Sequence, residues 1–105
     1  MKVEVCHTPR AERHVLEISA WWHENRPASP DLFRQELEGA IDLLEQSPDV
    51  GRRYRNAGIP GLRRLLLPRT RYHVYYLHEE SAQRVLILAV WSAVRARGPD
   101  LSTAY

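Results

Sequence analysis

The sequence predicts an α+β fold in which a helical hairpin packs on one face of a largely antiparallel four-stranded sheet, in the order β-α-α-β-β-β. Three observations support this prediction. Residues 8–46 contain two amphipathic stripes, each preceded by a helix-start signal, and residues 62–91 contain three strand-like segments separated by short turns. A short alternating segment at residues 2–7 supplies the remaining strand. The 105 residues and 44% hydrophobic content fit one domain over residues 1–105.

Each predicted helix begins with a capping residue and a proline. Thr8 offers a side-chain oxygen to the first free amides, and Pro9 at the first helical position loses no needed hydrogen bond. The first helix is therefore predicted from Pro9 to near Asn25. Residues 29–31 repeat the pattern of cap, proline and acidic first turn, and Pro48 ends the second helix. Both helices are amphipathic, so each needs an apolar surface to pack against.

Three strands are predicted after a glycine- and proline-rich loop at residues 51–61. Alternation along the second of them places Tyr76 under the helices and leaves His73 and Tyr75 on the opposite face. That opposite face is expected to be partly open, with Tyr75 free to meet a partner. The almost wholly apolar third strand is typical of a strand that is covered on both faces or lies at the centre of its sheet. The predicted strands are Leu62–Leu67, Arg71–His78 and Val85–Trp91.

The two halves of the chain carry opposite charge, although the formal net charge of the whole is only +2. Residues 1–50 hold five basic and ten acidic side chains (net −5), and residues 51–105 hold ten arginines and three acidic side chains (net +7). Because guanidinium groups pair bidentately with carboxylates and phosphates, we expect the C-terminal half to bind a polyanion or an acidic protein segment. The competing interpretation is that arginine simply fills exposed positions.

Composition excludes several kinds of site. Cys6 is the only cysteine, so neither an intramolecular disulfide nor a cysteine-based zinc site can form. The five histidines show no ligand spacing, and no metal or other cofactor is predicted. No apolar run approaches the roughly 20 residues of a membrane-spanning helix, and the N-terminus lacks the apolar stretch of a signal peptide. We therefore expect no membrane partner and a cytoplasmic location.

Several stretches of the sequence follow one another in an order and spacing that are specific when taken together. They are Trp21-Trp22, residues 44–51 (LEQSPDVG), residues 61–65 (GLRRL) running on to 69–76 (RTRYHVYY), and residues 87–91 (ILAVW) with 95–99 (RARGP). Together these stretches resemble the RelE/ParE superfamily, the toxins of type II toxin–antitoxin modules. The resemblance implies a small bacterial toxin that is neutralised in a hetero-oligomer with its cognate antitoxin. Antitoxin C-terminal segments that wrap such toxins are often acidic, which would suit the basic half of this chain.

The resemblance leaves the target open. RelE-like members cleave messenger RNA in the ribosomal A site, whereas ParE-like members poison DNA gyrase and are not known to be hydrolases. By alignment, Arg64 and Leu66 stand at the two lysine positions of the RelE pattern, His73 at its strand arginine, and Ser92 at a histidine found in some relatives. The apolar Leu66 removes a cation and Ser92 removes an acid. The sequence therefore favours a non-enzymatic gyrase poison over a ribosome-dependent endoribonuclease; a non-toxic relative and a nucleic-acid-binding module are further alternatives.

Two sets of candidate site residues follow. The central hypothesis is that arginines from several strands and the tail converge on one exposed surface that faces the antitoxin or the target. In the ribonuclease alternative, His73 is the acid or base, although a strand histidine is more commonly hydrogen-bonded to a neighbour. The partner-binding candidates are Arg63, Arg64, Arg69, Arg71, Tyr75, Arg95 and Arg97. The ribonuclease candidates are His73, with Arg64 and Arg71 as stabilising cations and Arg95 and Tyr105 as a further cation and ring.

Overall fold

The structure is a computed structural model that describes residues 2–56 and 58–101. Tyr105, a ribonuclease candidate, lies outside the described residues. In the described residues, two helices and five strands follow one another in the order that the sequence predicts, apart from one additional short strand, and a 3-10 turn spans Glu80–Ala82. The elements are β1 (Glu4–His7), α1 (Pro9–Asn25), α2 (Leu32–Gln46), β2 (Arg52–Arg53), β3 (Arg63–Leu67), β4 (Tyr72–Glu79) and β5 (Arg84–Ser92).

The sheet has five strands in the order β1-β5-β4-β3-β2, with β1 parallel to β5 and every other pair antiparallel. The α+β class and the helical hairpin on a sheet are confirmed, but the count of four strands is one short. Arg52 pairs with Arg64 and Arg53 with Arg63, so the predicted loop begins with a two-residue strand. A strand of two arginines has no alternation of apolar and polar residues by which a sequence could reveal it.

The predicted helix starts differ in accuracy. Thr8 caps α1 as predicted: its Oγ1 accepts a hydrogen bond from the Ala11 N–H at 3.1 Å and donates one to the Leu88 carbonyl at 3.2 Å. The second helix begins at Leu32, two residues later than the Ser29 cap would place it. Asp31 occupies the N-cap position without a capping bond, because its carboxylate pairs instead with the His23 ring at 3.0 Å.

Both faces of the sheet are covered. The main core lies between the helices and the sheet, with Phe33 and Tyr76 among its largest fully buried side chains. A second cluster on the opposite face contains Tyr75 and Leu88, covered by Leu62 from the preceding loop and by other residues of the loop and tail. The expectation that this face is partly open and Tyr75 free is therefore wrong: Tyr75 is 2% exposed. The sequence predicts no core contribution from the glycine- and proline-rich loop, yet Ile59 of this loop and the adjacent Leu62 belong to this second cluster.

The loop that leaves α2 is held against β4 by a close backbone approach. The Gly51 N–H donates to the Tyr76 hydroxyl at 2.8 Å, and the Arg63 guanidinium donates to the Gly51 carbonyl at 2.8 Å and the Asp49 carbonyl at 3.1 Å. A Cβ at position 51 would lie only 2.6 Å from the Tyr76 hydroxyl oxygen. This approach requires glycine, and it connects the helical hairpin to the strands that carry the arginines.

Within residues 2–56 and 58–101, no helix combines the length and the apolarity needed to cross a bilayer.

Three half-buried histidines make the folded chain sensitive to mild acid. Burial lowers the pKa of His7, His14 and His73 below the ordinary value of 6.5, and Arg64 adds to the effect at His73. The His14 Nδ1 also accepts the Val90 N–H at 3.2 Å, which requires that nitrogen to be unprotonated.

We expect the urea midpoint of unfolding to be lower at pH 5.5 than at pH 7.5. Between the folded and unfolded pKa values, the unfolded chain binds more protons, so stability falls as the pH drops through about 6.5. The pKa of Asp49 is lowered from 3.8, so its carboxylate affects stability only below that pH and not between pH 5.5 and pH 7.5. In His14→Gln the decline between the two pH values should be smaller. If the urea midpoint of His14→Gln falls between pH 7.5 and pH 5.5 by as much as that of the wild type, His14 does not contribute to the pH dependence.

Candidate partner-binding surface

A groove of about 710 Å³ lies between α1 and the end of the sheet where β4 begins and β5 ends. We call it the aromatic groove, because indole and phenol rings form much of its wall. Trp21 is 44% exposed there, and the Trp22 Nε1 donates to the Tyr72 hydroxyl at 3.2 Å. Its aromatic lining residues are Trp21, Trp22, Tyr72 and Trp91, and its cationic ones are Arg26, Arg69, Arg71 and Arg95.

A turn between β3 and β4 brings two of these arginines to the groove. The Glu36 carboxylate on α2 accepts hydrogen bonds from the Arg69 N–H at 2.7 Å, the Thr70 N–H at 2.9 Å and the Thr70 hydroxyl at 2.6 Å. Arg71 adopts a left-handed backbone with φ of 67°, and its carbonyl accepts the Ala93 N–H at 2.8 Å. The turn and the segment after β5 are thus joined by backbone contacts.

A smaller cavity of about 170 Å³ adjoins the groove, and Ser92 and Arg95 line both. We call it the basic pocket. Its walls combine one imidazole with three guanidinium groups, and no Asp or Glu of the described chain lines it. Its principal polar lining residues are Tyr54, Arg64, His73, Arg95 and Arg97.

Aromatic rings lie against two of the three guanidinium groups of the basic pocket, those of Arg64 and Arg95. The Arg64 guanidinium carbon lies 4.6 Å from the centre of the Tyr54 ring, and its Nη1 lies 3.4 Å from the Tyr75 hydroxyl. The Arg95 guanidinium lies 4.7 Å from the centre of a Trp91 ring. The Trp91 Nε1 donates to the Arg97 carbonyl at 2.8 Å, which fixes the segment after β5. Such stacking restrains an arginine side chain while leaving its N–H groups able to bind an anion.

Burial and the Arg64 charge lower the pKa of His73, so its imidazole is neutral at neutral pH. A neutral imidazole beside several guanidinium groups can accept a proton next to a bound anion. In the described chain this is the only imidazole that lines the basic pocket.

Of the predicted site residues, five arginines line these two adjoining cavities: Arg64, Arg69, Arg71, Arg95 and Arg97. None of the five forms an ion pair with a carboxylate within residues 2–56 and 58–101. Their charge is therefore available to an external acidic group.

Arg63 does not join this surface, which corrects its place in the predicted set. It precedes Arg64 on β3, and alternation along a strand sends the two side chains to opposite faces. The Arg63 guanidinium bonds to two loop carbonyls and lies 3.7 Å from the Asp49 carboxylate. Its role is to hold the loop after α2. Tyr75 lines the basic pocket, but it is only 2% exposed, and its hydroxyl lies 3.4 Å from the Arg64 Nη1.

Sequence reasoning missed the contribution of the helical hairpin. Neither Trp21 nor Arg26 is among the partner-binding residues that the sequence predicts. The structure places the Arg26 guanidinium 5.0 Å from the centre of a Trp21 ring at the rim of the aromatic groove. The sequence did contain a signal for this position. The apolar stripe of α1 consists of Ala11, Val15, Ile18 and Trp22, so the adjacent Trp21 lies off the buried face.

Among the residues that the structure describes, one group of side chains could hold a metal ion. Asp49, His78 and Glu80 each offer a ligand atom, and these atoms lie within 4.8 Å of one another. The Asp49 carboxylate already accepts a hydrogen bond from the His78 Nδ1 at 2.8 Å and faces Arg63. Because the three residues come from a loop, a strand and a turn, no sequence spacing could reveal the cluster.

A family model for the ParE toxin of the type II toxin–antitoxin system parDE matches residues 6–97. The chain belongs to this family. The predicted membership of the RelE/ParE superfamily is thereby confirmed, and the protein is a toxin of a type II toxin–antitoxin module. No curated protein matches the sequence.

Solved structures from both branches of the superfamily share the fold of this ParE-family toxin. The chromosomal ParDE system of Pseudomonas aeruginosa matches with a TM-score of 0.66 at 18% identity over 87% of this chain and 96% of that one. The Mycobacterium tuberculosis RelBE2 complex matches at 0.60 and 22% over 88% and 99%. The isolated Escherichia coli RelE toxin matches at 0.58 and 18% over 90% and 88%. At these identities the likeness concerns the fold alone, which does not choose a target.

Proposed function

We propose that this toxin acts by binding and poisoning DNA gyrase, and that the acidic C-terminal segment of a cognate antitoxin neutralises it in a hetero-oligomer. The observation that carries the proposal is the match of the ParE family model to residues 6–97, nearly the whole chain. The proposed action requires binding and no hydrolysis.

The aromatic groove supports the antitoxin part of the proposal. It presents indole rings for apolar side chains and four guanidinium groups for carboxylates, a combination suited to an acidic amphipathic segment. Arginine and tryptophan are the residues most often responsible for the binding energy of protein interfaces. The structural neighbours include solved toxin–antitoxin complexes, which are consistent with a protein partner.

The gyrase proposal is tested with purified components. We expect the toxin to block supercoiling of relaxed plasmid by gyrase and to increase the amount of DNA cleaved in gyrase complexes. Addition of the antitoxin should reverse both effects. A toxin that is folded and active in arresting growth, yet changes neither supercoiling nor cleavage, would refute the gyrase target.

The basic pocket favours a second candidate function, ribosome-dependent cleavage of messenger RNA. Cleavage needs a base for the ribose 2′-hydroxyl, cations for the charged phosphorane and an acid for the leaving oxygen. His73 could serve as the base, and Arg64, Arg95 and Arg97 as the cations. Within the described chain, no second imidazole or carboxylate lines the pocket to act as the acid. This gap is why we place the ribonuclease second.

The second candidate predicts messenger RNA cuts at A-site codons, detected by primer extension on translating ribosomes. Replacing His73 or Arg64 with alanine should reduce cutting about 100-fold or more, the usual contribution of a general base or a stabilising cation. His23→Ala and Arg34→Ala, at exposed positions away from the pocket, are the matched controls. Absence of cuts with the wild-type toxin would eliminate this candidate.

A further inference from the structure

We propose that Glu36 is a positioning residue for the partner-binding arginines, an inference that rests on the proposed binding of an acidic antitoxin. Glu36 lies on α2, away from the arginines in sequence, and its side chain is half-buried. Its carboxylate accepts three hydrogen bonds of 2.6 to 2.9 Å from Arg69 and Thr70. Bonds from neutral donors to a carboxylate are charge-assisted and therefore stronger than ordinary ones.

These bonds fix the backbone from which two groove arginines project. Each Glu36 oxygen accepts one of two consecutive turn amides, so the carboxylate sets the orientation of the turn as well as its distance from α2. The next residue, Arg71, has a φ of 67°, a conformation that a residue with a side chain adopts only when its surroundings hold it there.

The same turn supports the segment after β5. The Arg71 N–H donates to the Leu67 carbonyl at 2.8 Å, and the Arg71 carbonyl accepts from the Ala93 N–H at 2.8 Å. Ala93 begins the segment that carries Arg95, which lines both cavities. A displacement of the turn therefore reaches arginines on two segments.

Glu36 does not neutralise the arginines that it positions. No ion pair within residues 2–56 and 58–101 involves Glu36, so its charge is directed at backbone amides and a hydroxyl. The guanidinium groups of Arg69 and Arg71 stay available for an acidic partner. A binding site loses affinity when the hydrogen bonds that orient its contact residues are lost, even if every contact residue is retained.

The test measures affinity by calorimetry, with the full-length product of the reading frame adjoining the toxin gene as the probe. In Glu36→Gln the amide nitrogen faces the Arg69 N–H, donor against donor, and we expect affinity to fall about tenfold. Glu38→Gln, the same exchange on the exposed face of α2, should leave affinity unchanged. Thr70→Val removes only the hydroxyl bond and should give a smaller loss in the same direction.

A double-mutant cycle separates positioning from loss of stability. All affinities are measured well below the melting temperature of each variant, which circular dichroism establishes. In the background of Arg69→Ala with Arg71→Ala, Glu36→Gln should cause a clearly smaller loss of affinity than in the wild type, because two of the side chains through which it acts are gone and only the route through Arg95 remains. A merely structural role would lower affinity equally in both backgrounds.

The outcomes distinguish this inference from the proposed function. If Arg69→Ala with Arg71→Ala weakens binding but Glu36→Gln and Thr70→Val do not, the positioning role is wrong and the antitoxin surface stands. If Glu36→Gln lowers affinity equally in both backgrounds, the positioning role is also wrong. If the double arginine variant binds the probe as tightly as the wild type, the proposed antitoxin surface itself fails.

Discussion

Gly51→Ala is expected to lower the free energy of unfolding by about 3 kcal/mol, at the upper end of the cost of overpacking a well-packed site. The added Cβ would lie 2.6 Å from the Tyr76 hydroxyl oxygen, 2.8 Å from Tyr76 Cε1 and 2.9 Å from the Arg64 carbonyl oxygen. Tyr76 is fully buried, and Arg64 lies within a paired strand, so neither neighbour can move freely. A backbone shift that relieved these steric contacts would break the hydrogen bond from the residue 51 N–H to the Tyr76 hydroxyl.

Urea unfolding at pH 7.5 measures this effect, with Gly39→Ala as the matched control. Gly39 lies within α2, and a Cβ there would meet nothing within 4 Å. Alanine should stabilise that position by up to about 1 kcal/mol, since glycine is the poorer helix former. Equal midpoints for Gly51→Ala and the wild type would show that the loop after α2 does not approach Tyr76 as closely as described.

Arg95→Glu is expected to weaken antitoxin binding at least about 100-fold. Arg95 lines both cavities, and reversing its charge replaces an attraction for carboxylates with a repulsion, which typically costs several kcal/mol at an interface. Stacking on Trp91 holds the guanidinium in place before the partner arrives, so little ordering cost offsets its contribution. Part of the loss should disappear at high salt, because ions screen exposed charges.

The control for this prediction is Arg34→Glu on α2. Arg34 is exposed and lines neither cavity, so reversing its charge makes the same change in net charge at a different place. The two variants distinguish a localised surface from a general attraction between a basic toxin and an acidic partner. Equal losses of affinity in both would mean that net charge alone accounts for binding and that Arg95 has no special position.

Local patterns predicted most of the fold. The Thr8 cap, the two amphipathic stripes and the apolar run of β5 each follow from the residues within one element, and the structure has all three. Strand β2 could not be predicted in this way, because Arg52 and Arg53 form a strand only by pairing with β3. Pairing between distant segments leaves no trace in a two-residue strand.

The candidate site was predictable in composition more than in arrangement. Clustering of arginines in the second half indicated a cationic surface, and the structure brings five of them to adjoining cavities. Alternation along β3 alone predicts that the Arg63 and Arg64 side chains lie on opposite faces of the sheet, so only one of them can belong to the cationic surface. Burial of Tyr75 could not be foreseen, because it depends on Leu62 and Leu101, which belong to a loop and a tail without periodicity.

We propose that this toxin poisons DNA gyrase and does not cleave messenger RNA. The most direct measurement is the incorporation of labelled thymidine and labelled methionine in cells after induction of the toxin without its antitoxin. We predict that thymidine incorporation stops first while methionine incorporation continues. In cells whose gyrase carries substitutions that prevent toxin binding, thymidine incorporation should continue as well. Arrest of methionine incorporation before any change in thymidine incorporation would contradict the claim and point to the ribosome.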